Sequence, residues 1–351
     1  MNNKEKHKNI KQKTRKKIKK RKKRRKKISL KKLIVFLVFE IIFTALTGPF
    51  MLLYGPFENA KSTFVGAAMT SMSHQYLATW FLSDEKIASI LGTNDDSQAG
   101  GSDETTNMSE IKIPTVKDET IEFYEITDNP KFNGYYLVVK DPTRIKIGYT
   151  SKLYVEGQTT SHIAENNNAI AAINGGAFTD QSSNAQWTGN GGFPSGVIMT
   201  GGEIIHDDLG AGNKTELFGI TKKGVMVVGK YSVDELKEMD IQEALSFGPS
   251  LVINGKMTPM QGDGGWGIAP RTVIGQRQDG AIIMLVIDGR GVGSLGATLK
   301  EAQEVIFKLG AVNAINLDGG KSTTLYYDDE VRNTPSYSMG ERTIPTAVIV
   351  K

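Results

Sequence analysis

Residues 281–290 read Ala-Ile-Ile-Met-Leu-Val-Ile-Asp-Gly-Arg. An apolar, β-rich run stops at an acid and a glycine, which reads as a buried strand ending in a functional tip. The same ending recurs twice. Residues 169–176 run Ala-Ile-Ala-Ala-Ile-Asn-Gly-Gly, and residues 314–320 run Ala-Ile-Asn-Leu-Asp-Gly-Gly. Each run carries an Asn or Asp to the end of a rigid element, and the glycine after it lets a ligand approach the backbone. A single Asx-Gly is common turn chemistry. Three of them nominate Asn174, Gly175, Asp288 and Asp318 as one site, provided the tips converge.

Working outward, the surrounding sequence repeats the strand pattern. Tyr135–Lys140, Val225–Val228, Leu251–Ile253 and Ala347–Val350 are short β-rich runs with turn residues between them. Asn254-Gly255 reads as a tight hairpin. Two segments read as helices, 232–244 and 298–309. Thr298 and Glu301 form a capping-box signature, and Gly310 supplies the stop. The expected fold is α+β, a mostly antiparallel or mixed sheet domain with a few helices, spanning 121–351.

The N-terminal part is of another kind. Of the chain's 43 Lys/Arg and 38 Asp/Glu, residues 1–32 hold 19 and one. The remainder carries 24 against 37, so the body is acidic and the net +5 belongs to the head. A nucleic-acid partner is therefore not expected. Residues 33–54 are apolar with one charge, Glu40, and suffice for a single membrane span at ~1.5 Å per residue. A buried core helix would rarely be so apolar all round, and a cleavable signal would show an A-x-A site. Lys/Arg-rich flanks stay inside, so the expectation is a cell-membrane protein with a cytoplasmic N-terminus and an extracytoplasmic C-terminal domain. Residues 55–91 read as a helical stalk and 92–120 as a flexible linker.

Cysteine is absent and only four His are present, which excludes thiol nucleophiles, disulfides and Cys-ligated zinc. A divalent cation could use clustered oxygens of Asp207, Asp208, Asp288 and Asp318, though no spacing is diagnostic. The richest segment is Asn316-Leu-Asp-Gly-Gly-Lys-Ser-Thr323. Glycines followed by hydroxyls can form a backbone nest for an anion, which draws in Asn316, Gly319, Gly320, Lys321, Ser322 and Thr323. It is not a Walker A loop, because Ile315 stands where the first glycine is needed. Arg271 can clamp a phosphate or carboxylate, and Arg290 and Arg342 are further cationic candidates.

The ordered motifs AINGGAF (172–178), PRTVIG (270–275), VIDGRG (286–291), GATLKEAQ (296–303), LGAVNAINLDGGKST (309–323) and RTIPTAVIV (342–350) together resemble the phosphodiester glycosidase domain family. The resemblance covers 169–351. The family usually reads LDGGGS, and Lys321 stands here for the third glycine. The resemblance implies hydrolysis of a sugar-1-phosphodiester of the GlcNAc-1-phosphate type. Glycoside cleavage normally uses two carboxyl groups, which Asp288 and Asp318 supply, while a cation or donor nest holds phosphate. Asn174 would bind sugar hydroxyls or orient the nucleophile. The sequence leaves open which Asp has which role. The expected function is an anchored extracytoplasmic hydrolase acting on a cell-surface glycopolymer or exopolysaccharide. The alternative is a glycan-binding or assembly protein with the same fold and no turnover.

Overall fold

The computed structural model describes residues 29–57, 60–61, 64–65, 68, 75–91, 104–179, 190–291, 293–336 and 340–351. It divides into two units, 1–57 and 58–351. The first unit contains helix Leu30–Tyr54, with Pro49 inside it. This helix is long and apolar enough to cross a membrane. Its 25 residues give about 37 Å of length at ~1.5 Å per residue. The basic head before Ser29 lies outside the described residues.

In the second unit, the stretch read as a stalk contains helices Tyr76–Thr79 and Asp84–Leu91, with a turn between them. His74 falls outside the described residues, as does 92–103. The described part of the stretch read as a linker is held in place. Thr106 exchanges hydrogen bonds with Val228 through its hydroxyl, and the Asn107 amide donates to Asn254 Oδ1 at 2.7 Å. The Lys112 amide donates to the Gln278 carbonyl at 2.8 Å.

Why the central strands are apolar throughout is clear from Ile282–Ile287. Ile282, Met284 and Val286 face one hydrophobic core, and Ile283, Leu285 and Ile287 face another. A strand with both faces covered loses the alternation of a half-exposed one. It belongs to a seven-stranded antiparallel sheet, whose order is Ile121–Ile126, Gly134–Val139, Ile282–Ile287, Arg271–Arg277, Ala311–Leu317, Ser250–Ile253, Lys256–Met257. Two five-stranded sheets and two short two-stranded ribbons, Arg290–Gly291 with Ser294–Leu295 and Phe178–Thr179 with Phe193–Pro194, accompany it. One five-stranded sheet is built around Thr215–Thr221 and Ile241–Ser246. The other carries Ala171–Asn174 beside Thr346–Val350, which in turn pairs with Ile145–Tyr149.

All three sheets turn one face to a single shared core that includes Ile274, Met284, Ile315, Phe218, Ile220, Ile173 and Val348. Each outer face has its own cluster and its own short helix: Leu299–Lys308, Val233–Glu238 or Thr160–Asn166. Each fully buried Ile or Leu contributes about 1.5–3 kcal/mol. Every described pairing is antiparallel, and the α+β expectation holds.

The Thr298–Glu301 capping box is present, and Gly310 ends that helix at φ +92°. Asn254-Gly255 is the expected hairpin, with Ile253 opposite Lys256 and both turn residues at positive φ. The expected helix over 232–244 is corrected. It stops at Glu238, Asp240 turns the chain at φ +53°, and Ile241–Ser246 is a strand between two others. Asp is one of the few side chains that tolerate this conformation, so the break looks like an ordinary helix position in the sequence.

Candidate active site

The register of the large sheet brings the two acids to one end. Arg271–Arg277 runs between Ile282–Ile287 and Ala311–Leu317, with Arg271 opposite Ile287 and Thr272 opposite Leu317. Asp288 and Asp318 therefore leave the sheet at the same edge. Strands lie ~4.8 Å apart, so the tips start about 10 Å from each other. Asn174 arrives from the other sheet. Its Nδ2 donates to the Asp318 carbonyl, and its Oδ1 accepts from Thr272 Oγ1 at 2.7 Å and from the Thr324 amide at 3.1 Å. The Asp318 amide donates to the Gly175 carbonyl at 3.2 Å. The three tips thus converge. Asn174 spends its amide group on holding the Asp318 turn in place, a positioning task.

Asp288 is 4% exposed. Its Oδ1 accepts from Asn333 Nδ2 at 3.1 Å and from the Thr334 amide at 2.9 Å. Burial pushes its carboxyl above the ordinary value, against the pull of those two donors. Asn333 also donates to the Thr323 carbonyl at 3.2 Å and accepts from the Leu325 amide at 2.8 Å. One side chain therefore ties Asp288 to the segment that follows Asp318. Asn333 and Thr334 were not legible in the sequence: they sit in a loop with no periodicity and no motif.

The glycines divide into two groups. A Cβ on Gly175 would strike Thr346, one on Gly176 would strike Ser246, and one on Gly319 would strike the Pro270 carbonyl. Their bulk is missing because protein backbone packs there. Gly320 differs: it sits at φ +60° with open space where its Cβ would be. Gly319-Gly320 makes the approach expected of it only at the second residue.

The anion nest is narrower than expected. The Gly320 amide donates to the Pro270 carbonyl of the neighbouring strand's approach, and the Ser322 amide donates to the Gly319 carbonyl within the turn. The Thr323 amide turns back to Gly320. What the turn offers is hydroxyl and charge. Ser322 Oγ, Thr324 Oγ1 and Asn316 Oδ1 are buried without a hydrogen-bond partner, and Lys321 is exposed on the short helical turn Gly320–Ser322. Buried polar atoms are almost always satisfied, so these three atoms are candidates to meet a polar ligand.

Arg271 does something other than clamp a ligand. It is 3% exposed; its Nε donates to the Ala297 carbonyl, and its Nη2 donates to those of Trp266 and Gly267. Burial lowers its pKa to about 10, still far above neutrality, so the charge is kept and spent on pinning two loops. Arg290 is exposed on a two-residue strand paired with Ser294–Leu295. Arg342 lies over the Phe178 ring at 4.7 Å. Asp207 and Asp208 cap the turn after Glu203–Asp207, accepting from the amides of Leu209 and Gly196. Among the described residues no three His, Asp or Glu are grouped to hold a metal ion.

Against known proteins, residues 167–351 match the family model for phosphodiester glycosidase. The chain is 28% identical over 195 residues to N-acetylglucosamine-1-phosphodiester alpha-N-acetylglucosaminidase of Bos taurus, covering 51% of this chain and 35% of that protein. An uncharacterized SPbeta prophage-derived protein of Bacillus subtilis is 27% identical over 218 residues, 60% of this chain and 31% of the relative. The chain thus spans about a third of the length of these curated relatives. The catalytic domain of the zebrafish N-acetylglucosamine-1-phosphodiester alpha-N-acetylglucosaminidase, auto-inhibited by its pro-peptide, shares the fold: TM-score 0.55, 23% identity, 70% of this chain and 87% of that one.

Proposed function

The chain belongs to the phosphodiester glycosidase family, and from that premise we propose that it hydrolyses a sugar-1-phosphodiester, releasing the sugar and leaving a phosphomonoester. The observation that carries this reading is the meeting of Asp288 and Asp318 at one sheet edge, joined through Asn174, Thr323 and Asn333. One carboxylate activates water or attacks the anomeric carbon, and the other stabilises the developing positive charge on the ring. Lys321 with the hydroxyls of Ser322 and Thr324 receives the phosphate. Phosphate leaves readily, so holding its charge matters more here than for an alcohol leaving group.

The substrate we infer is a GlcNAc-1-phosphate type linkage in a cell-surface glycopolymer or exopolysaccharide. Helix Leu30–Tyr54 would anchor the enzyme, with the basic head cytoplasmic and the sheet domain outside. The test incubates the full chain in detergent with a synthetic GlcNAc-α-1-phosphodiester, UDP-N-acetylglucosamine and anionic wall polymer, and quantifies released sugar and phosphomonoester. Release that disappears in Asp288→Asn and Asp318→Asn is the expected result. Full turnover in both variants would sink the assignment. Saturable binding to the polymer without release would transfer the role to glycan binding or assembly.

A further inference from the structure

Glu216 lies on Thr215–Thr221, whose sheet shares its core with the seven-stranded sheet that ends at the two aspartates. Its neighbours lead straight to the site. Glu216 Oε2 accepts from the Ser250 amide at 2.6 Å, and a Cβ on Gly248 would run into the same carboxylate. The Gly248 carbonyl accepts from Asn316 Nδ2 at 2.9 Å, and the Asn316 amide donates to the Pro249 carbonyl at 3.1 Å. Asn316 is two residues before Asp318. On the other flank, the Ala177 amide donates to the Ser246 carbonyl, which brings in the Asn174–Ala177 turn. Glu216 is therefore linked to the strand that ends at Asp318 through Ser250, Gly248 and Asn316, and the next residue on its strand, Leu217, pairs with Ser246.

Its second oxygen is the informative one. Oε1 is buried with no hydrogen-bond partner, as is Oδ1 of Asn316. The residue as a whole is half-exposed, at the rim of the core and not sealed within it. Glu243, on the adjacent strand of the same sheet, shows what a structural buried glutamate looks like. Its Oε2 accepts from the Ile147 amide and Thr200 Oγ1, and its Oε1 accepts from the Gly201 amide and pairs with Lys146 at 3.2 Å. Nothing of that kind surrounds Glu216 Oε1. Burial raises the Glu216 carboxyl above its ordinary value, opposed by the Ser250 donors and by Lys230, which is opposite it on the neighbouring strand. From the elements packed against it, Lys230 is the charged group that faces it, and Asp318 is the next acid along the Asn316 strand.

Resting on the hydrolase reading above, we propose that Glu216 is a third catalytic carboxyl of the site, the acid that protonates the departing phosphate oxygen. The C1–O bond breaks with its electron pair moving to the phosphate oxygen. That oxygen takes the proton from Glu216, so the phosphomonoester leaves protonated. Water adds to C1, and its proton passes to an aspartate carboxylate. Proton exchange with solvent returns both carboxyls to their starting states.

The experiment uses the full chain and measures kcat and KM on a GlcNAc-α-1-phosphodiester across pH for wild type, Glu216→Gln, Glu216→Asp and Asp318→Asn, with a thermal melt of each. The expected result for Glu216→Gln is a kcat lower by about 10²-fold, KM within about threefold of wild type, and an intact melt. The fall in rate at alkaline pH, present in wild type, disappears in that variant. Glu216→Asp retains part of the rate and the alkaline fall. Unchanged turnover in Glu216→Gln while Asp318→Asn is inactive overturns this proposal and leaves the hydrolase reading standing. An alkaline limb that persists unchanged in Glu216→Gln also overturns it. A wild-type chain that does not cleave the diester removes both.

Discussion

Glu243 and Glu216 are acids on adjacent strands of the same five-stranded sheet, the first fully buried and the second half-buried. Around Glu243 every carboxylate oxygen is met, by two amides, a hydroxyl and the Lys146 ammonium. Around Glu216, Asn316, Ser322 and Thr324, buried oxygens lack a partner. The difference teaches that burial and hydrogen-bond saturation vary independently within one sheet of this protein, and the unsaturated acid is the one proposed for chemistry.

The comparison can be broken most sharply at the open end. Asp288→Asn and Asp318→Asn are each expected to lower turnover of the diester by about 10³-fold while the protein still melts cooperatively. Loss of folding instead of turnover would mean that this end is as structural as the other. Next comes the saturated end. Glu243→Ala strands the Ile147 and Gly201 amides and should reduce stability by about 3 kcal/mol in urea unfolding. A change below 1 kcal/mol, as roughly expected of an unremarkable site, would erase the contrast. As a calibration outside both regions, Thr298→Ala removes the capping box of Leu299–Lys308 and should cost about 1 kcal/mol in the same assay.

The smallest effect has the opposite sign. The Glu216 carboxyl is raised by burial, so the stability it contributes is fully present below about pH 4.3 and is lost as pH rises through the raised value. Glu216→Gln has no such loss. The variant should therefore gain stability relative to wild type between pH 4 and neutrality, read as melting temperature. Asp288 is shifted the same way for the same reason. A difference that shrinks with pH would show that Glu216 is ionised and well solvated.

Legibility from the sequence followed the same division. Asp288, Asp318 and Asn174 could be read because a tip is written locally, as an apolar run followed by Asx-Gly. The Thr298 cap and the Asn254-Gly255 hairpin are local in the same sense. The surroundings of Glu216 could not be read, because Ser250, Gly248 and Asn316, which make them, are distant in sequence. Arg271 was misleading for that reason too: a lone arginine beside a strand does not reveal that carbonyls of Trp266, Gly267 and Ala297 surround it. The strand Ile241–Ser246 was hidden by Asp240, whose positive φ leaves no mark in the composition.

Thr346–Val350 pairs on one side with Ala171–Asn174 and on the other with Ile145–Tyr149. Ala347 is the partner of Asn174 itself, and Thr346 accepts from the amides of Gly175 and Gly176. Order of synthesis therefore sets the order in which this sheet is closed. A ribosome delivers every other strand of the sheet before this one, and the turn that positions Asp318 is not clamped until residues 346–350 emerge. In a nascent chain this sheet stays open, and the Asn174–Gly176 turn unclamped, until that segment is threaded home.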